Sequence, residues 1–171
     1  LWTNVLGGDG GWTQLDQKSP LRVFGEFQGT GNLFRSINVP VMKECVQEVR
    51  AGGLRSIYYY CGNPNDRLDA ILDIGADAVH FEEGKKGFHI DVEKMAERID
   101  GRCTLFGNLD SVGVLQNGSA AALESEIRRQ LKAGRRNRGR FVMSTGSPIT
   151  PETPVERVRL YTDLVRQLGA L

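Results

Sequence analysis

The sequence predicts an α/β fold, a parallel sheet with helices packed outside it. Three observations predict it. Short apolar runs end in polar tips, each run is followed by a stretch with helical periodicity, and a glycine precedes the next run, at 53, 75, 101 and 139. The glycine spacing is unequal, so the units are structural βα repeats and not copies of one sequence.

The bulk numbers fit one domain over residues 1–171. The chain is 40% hydrophobic and 25% charged, long enough to bury a core. A net charge of +1 gives no electrostatic bias toward nucleic acid or an anionic membrane. No apolar stretch approaches the roughly 20 residues that span a bilayer, and no signal-peptide pattern is present. Cys45, Cys61 and Cys103 form no C-x-x-C pair, which predicts reduced thiols in a cytoplasmic protein. Leu1-Trp2-Thr3-Asn4-Val5 reads as a strand already under way, so the chain is expected to be part of something longer.

In order, residues 6–20 are rich in glycine and read as loop. Arg22 to Phe27 reads as a strand tipped by Glu26. A helix over about 33–50 places Val41, Cys45 and Val49 on one stripe, and Gly52-Gly53 ends it. The run Ser56–Tyr60 is the central strand. Asn63 is a cap and Pro64 a first-turn residue for a helix over 64–74, with Leu68, Ile71 and Leu72 inward. Ala76–Glu83 is the next strand, followed by a short helix after Asp91. Arg102–Phe106 is a strand ending in Gly107-Asn108. Ser119 starts a helix with Leu123, Ile127 and Leu131 at spacing four. Phe141–Met143 is the last strand. Thr153-Pro154-Val155-Glu156 reads as a capping box for a final helix that buries Val158, Tyr161, Val165 and Leu168.

The strand tips carry the candidate chemistry, because parallel α/β folds place their sites at the carboxyl ends of strands. Side chains alternate along a strand. So Tyr59 and Cys61 share one face, Tyr58 and Tyr60 the other, and His80 and Glu82 point away from the helices that cover Val79 and Phe81. Cys61 reads as a thiolate metal ligand or a methyl-accepting site; the plainer reading is a buried small hydrophobe. Glu82 and His80 read as acid and base or as metal ligands, against a satisfied inward polar pair. Glu26 reads as a further ligand, against a solvated turn carboxylate. Asn108 reads as catalytic and Asp110 as substrate-binding, against capping of a turn. Tyr59 and Ser144 complete the substrate-binding set. The basic run from Arg128 to Arg140 reads as a solvated helix end at the opposite rim.

Several pieces in order carry a resemblance. They are Tyr59-Tyr60-Cys61-Gly62-Asn63, Ile74-Gly75-Ala76-Asp77-Ala78, Gly101-Arg102, Leu105-Phe106-Gly107-Asn108-Leu109-Asp110, the Gly118 turn and Thr150-Pro151-Glu152-Thr153-Pro154-Val155-Glu156. Over about 38–169 the chain resembles the carboxyl-terminal half of the uroporphyrinogen decarboxylase superfamily, which includes the decarboxylase of haem synthesis and corrinoid-dependent methyltransferases. The resemblance implies parallel βα units forming part of a (β/α)8 TIM barrel, here its last five. Such barrels take about 250 residues. The open edges predict either a missing amino-terminal half or self-association.

The methyltransferase branch implies a zinc site of His-x-Cys on the central strand and a later cysteine. Here Tyr59 stands in the histidine's place, Cys61 matches the first cysteine, and the later one falls near Ser147. If a metal binds, Cys61, Glu82 and Glu26 or His80 are the expected set. The resemblance implies an enzyme: a methyltransferase acting on a small methylated compound, linked to a corrinoid (cobalamin) carried by a partner protein. The alternatives are decarboxylation of a tetrapyrrole's acetate arms and a barrel relative without catalysis.

Overall fold

The computed structural model describes residues 12–16, 19–26, 34–84 and 87–170, the first two stretches by their backbone. Strands β1 (Trp12–Asp16) and β2 (Ser19–Glu26) pair antiparallel in a two-stranded sheet of their own. This corrects two expectations. Trp12–Asp16 is strand and not loop, and the strand ending at Glu26 takes its partner from the adjacent hairpin arm, not from the parallel sheet. Close sequence neighbours close a hairpin at low entropic cost.

Then the βα units begin. A wide π-helical turn, Phe34–Asn38, runs into α1 (Val39–Ala51). The alternation continues with β3 (Ile57–Tyr60), α2 (Leu68–Asp73), β4 (Ala78–Phe81), α3 (Val92–Ile99) and β5 (Thr104–Phe106). A second π-helical turn, Ser111–Gln116, precedes α4 (Ala120–Arg136), β6 (Phe141–Val142) and α5 (Val155–Gly169). Strands β3, β4, β5 and β6 form one parallel sheet in chain order. Among the described residues four strands belong to it.

Register explains the two faces. Tyr58, Val79, Leu105 and Phe141 form one row across the sheet, and Tyr59, His80, Phe106 and Val142 the next. The first row faces the helices: Val79 and Leu105 are buried and Tyr58 and Phe141 pack against the same core. That core includes Leu68, Ile71, Phe81, Met95 and Ile99, each burial worth about 1.5–3 kcal/mol. A second cluster, Leu109, Leu115, Leu123, Ile127 and Leu168, joins α4 and α5 to the turn after β5.

Helix starts follow capping chemistry with two departures. Asp91 accepts from the Glu93 N–H and Ser119 from the Ala122 N–H, as expected for α3 and α4. Asn63 instead accepts from the Asn65 N–H in a turn, and α2 begins only at Leu68. The Thr153 capping box does not form. Pro154 is the cap of α5, and the Thr153 hydroxyl pairs with Thr150 at 3.1 Å.

The stripe of α1 is also corrected. Val39 and Val46 are buried with Met42 against them, while Val41 is 44% exposed and Cys45 exposed. Straight spacing of four drifts by about 40° per step, so mixed steps of three and four hold a face better.

Candidate functional site

The row Tyr59–His80–Phe106 builds the inner face. Tyr59 and His80 are register partners with ring centroids 4.8 Å apart, and His80 and Phe106 lie 5.7 Å apart. Beyond β6, the chain turns back over this row. The Leu109↔Thr145 bridge and a 2.9 Å bond from the Gly146 N–H to the Leu109 carbonyl fix its path. The result is a cavity of about 270 Å³ lined by Tyr59, His80, Ser144, Thr145, Gly146, Ser147 and Pro148. Ser144 thus joins Tyr59 and His80 in one pocket. Among the described lining residues none is a lysine or arginine.

Side chains from the sheet grip the 144–148 loop. The Tyr59 hydroxyl donates to the Gly146 carbonyl at 3.0 Å, and His80 Nε2 donates to the Thr145 carbonyl at 2.9 Å. Ser147 donates to Glu83 Oε2 at 2.7 Å. Glu83, not among the candidate residues at the strand tips, is 6% exposed. A signal was there: Val79, Phe81 and Glu83 have the same parity, so the alternation puts a carboxylate at the end of the buried row.

Cys61 and Glu82 are half-buried just past the tips of β3 and β4. The Tyr59 hydroxyl is held well above its ordinary pKa, first by loss of solvent, then by the charge and hydrogen bond of Cys61, then by the charges of Glu82 and Glu83. Tyr59 therefore keeps its proton, and its surroundings are electronegative.

Asn108 and Asp110 lie elsewhere. They line a second cavity of about 250 Å³ with Glu83, His89, Glu126 and Arg129 among others. Asn108 is buried and donates to the Ile90 carbonyl at 3.2 Å. Asp110 accepts from the Val112 and Gly113 N–H groups at the start of the π-helical turn. Four members of the basic run are paired with carboxylates: Arg128 with Glu124, Arg129 with Glu126, Arg136 with Glu93 and Glu97, and Arg138 with Asp100.

Of the expected metal set, the side chains of Cys61, Glu82 and His80 are described and that of Glu26 is not. Among the described residues no three His, Cys, Asp or Glu side chains gather to hold an ion. His80 has its Nε2 engaged with a backbone carbonyl, and a protonated phenol stands where an imidazole was needed. The Glu26 side chain lies outside the described residues. Zinc therefore does not fit the donor groups described here. No described helix is long and apolar enough to cross a membrane.

Known proteins share this arrangement of elements. Methylcobamide:CoM methyltransferase MtbA of Methanosarcina mazei is 26% identical over 105 residues, 61% of this chain and 29% of that protein. The uroporphyrinogen decarboxylases of Chlorobium chlorochromatii and Chlorobaculum tepidum are each 26% identical over 140 residues, 80% of this chain and 38% of theirs. The chain thus spans about a third of the length of these relatives. A solved methyltransferase from Methanosarcina mazei superposes with a TM-score of 0.66 at 24% identity, over 80% of this chain and 37% of that one, and shows that the parallel sheet with outer helices is part of a shared barrel fold. The family model for uroporphyrinogen decarboxylase (URO-D) matches residues 30–168, from the π-helical turn before α1 to the end of α5, and on that match the chain belongs to the uroporphyrinogen decarboxylase family.

Proposed function

We propose that the chain supplies one side of the active site of a corrinoid-linked methyltransferase acting on a small methylated compound. The observation that carries this reading is the charge of the Tyr59–His80 pocket. Its described lining has no lysine or arginine, and the carboxylates of Glu82 and Glu83 are close enough to act on Tyr59. A substrate bearing several carboxylates would meet repulsion there, whereas a neutral or cationic methylated compound would not. The Tyr59 and His80 rings offer faces to methyl groups, and the cavity's size suits a small molecule. In this reading a corrinoid carried by a partner protein would supply the acceptor for the methyl group that the compound gives up. The chain's own part is to bind and orient. The 144–148 loop, held by the Tyr59 hydroxyl at the Gly146 carbonyl, closes one wall.

A second reading, tetrapyrrole decarboxylation, is favoured by two observations: the matches to the decarboxylases run over 140 residues against 105, and the site gathers no metal-ligand set among the described residues. Turnover separates the two. The protein is incubated with cob(I)alamin and methylated alcohols, thioethers or amines, and in parallel with uroporphyrinogen. Methylcobalamin formation with one donor class supports methyl transfer. Carbon dioxide release from uroporphyrinogen without methylcobalamin formation replaces it with the second reading.

A further inference from the structure

Two positions where the family resemblance implies metal ligands are Tyr59 and Ser147, and neither side chain is idle. Tyr59 donates to the Gly146 carbonyl and Ser147 donates to Glu83. With His80 on the Thr145 carbonyl, three consecutive loop residues are each held by a side chain from β3 or from the β4 end. Contact is tight at the centre. A β-carbon on Gly146 would fall 2.3 Å from the Glu83 nitrogen and 2.4 Å from its Oε2, so only glycine lets the loop seat there. Glu83 also accepts from Ser111 at 3.4 Å, which ties the loop to the turn after β5. Glu83 and Ser111 are themselves buried, where hydrogen bonds are stronger and lost partners cost more.

We propose that this site is metal-free, that the two former ligand positions have become donors of a hydrogen-bonded latch, and that Glu83 is the positioning residue of the 144–148 loop. The proposal holds for either reaction considered above, because it concerns how the pocket wall is held. The donor chemistry agrees. A protonated phenol and a serine hydroxyl are poor replacements for imidazole and thiolate on zinc, but both are good donors to a carbonyl or a carboxylate.

The test needs no turnover. Zinc content is measured on the full chain after exchange against a chelator of micromolar affinity, for the wild type and Cys61→Ala. The proposal expects no retained zinc in either; stoichiometric zinc in the wild type that is lost in Cys61→Ala overturns it. The latch is read at His80 by nitrogen-15 NMR of the imidazoles. The chain has two histidines, and His89→Gln assigns them. In the wild type the His80 Nε2–H is expected to exchange slowly with water. Ser147→Ala and Glu83→Gln change neither partner of the His80–Thr145 bond, yet each is expected to speed that exchange about tenfold, the equivalent of one lost hydrogen bond. Ser147→Thr keeps the hydroxyl and is expected to keep the slow exchange. A general loss of stability would not separate Ser147→Thr from Ser147→Ala in this way. If Glu83→Gln does not fold, Ser147→Ala makes the same comparison at a half-buried position. An unchanged His80 exchange rate in Ser147→Ala overturns the latch.

Discussion

The amide of Asn137 donates to the Cys103 carbonyl at 3.0 Å, across 34 residues of sequence. The same amide donates to the Arg140 carbonyl at 2.6 Å, and its oxygen accepts from the Gly101 N–H at 2.6 Å. Asn137 is fully buried. One side chain thus joins the entrances of β5 and β6, at the end of the sheet away from the pocket. Asn137→Ala leaves these backbone groups without that partner. The Arg140 carbonyl keeps its bond from the Leu105 N–H, and each of the other two groups left unsatisfied costs about 1–3 kcal/mol, so the expected loss is at least about 2 kcal/mol. Urea unfolding monitored by circular dichroism checks it; a loss below about 1 kcal/mol contradicts the account.

Gly134 sets two effects against each other. It lies within α4, where alanine is a better helix former by about 1 kcal/mol. However, a β-carbon there would come within 2.6 Å of the Phe141 side chain, where α4 crosses β6. Overpacking of that kind costs about 1–3 kcal/mol. Gly134→Ala is therefore expected to destabilise, by up to about 2 kcal/mol. An increased denaturation midpoint would show that helix and strand can separate at little cost.

The three cysteines are expected to react in order of exposure. Cys45 is exposed, Cys61 half-buried and Cys103 buried. Burial pushes the Cys103 thiol up to about 11, against the opposing pull of Arg140 and Arg102. An aromatic disulfide reagent at pH 8 should modify Cys45 first and Cys103 only after unfolding. Rapid modification of Cys103→Ser at one fewer site than the native wild type would contradict this.

That raised thiol has a consequence for pH dependence. Between the ordinary thiol value of about 8.5 and about 11, folded Cys103 keeps a proton that the unfolded chain has lost. The folded state binds more protons, so stability is complete below that window and falls as pH rises through it. The slope from this group is at most about 1.4 kcal/mol per pH unit. Cys103→Ala should flatten the stability profile between pH 8.5 and 10. Parallel profiles for the two proteins would remove Cys103 as the cause.

The exposed ion pairs call for the opposite expectation. Arg138 and Asp100 meet at 2.7 Å, with both side chains largely in solvent. Such pairs contribute about 0–1 kcal/mol. Arg138→Ala should also be felt through backbone geometry, because Arg138 has a φ of 55°. Arg138→Gly, which relieves that conformation, is therefore expected to match or exceed the wild type in thermal midpoint. A drop of several degrees would mean that the ion pair outweighs the backbone.

Period-two alternation was enough to place Tyr59 and His80 on one face and Val79 and Phe81 on the other, and the register agrees. Ser119 and Asp91 could be read as helix caps because their chemistry is local. Contacts between distant segments were harder to see. Glu83 gains its partner 64 residues away, and Asn108 turns toward the Ile90 carbonyl instead of the Tyr59 pocket. The Thr153 signal failed for a related reason: a neighbouring hydroxyl, Thr150, competed for the side chain that should have capped α5. The wrong stripe on α1 came from counting by fours in a helix that turns every 3.6 residues.

The strand order of the parallel sheet repeats the order of the chain. Ile57 meets Ala78, Ala78 meets Thr104, and Leu105 meets Phe141. Each strand therefore finds its partner in the segment made just before it, through loops of roughly 20 to 35 residues whose closure entropies differ by only about 0.5 kcal/mol. Assembly can proceed by accretion from one margin, every new unit docking on a template already in place. During synthesis the emerging chain would expose one growing margin at a time, and β6, made after the other three strands, would complete the loop that closes over Tyr59 and His80.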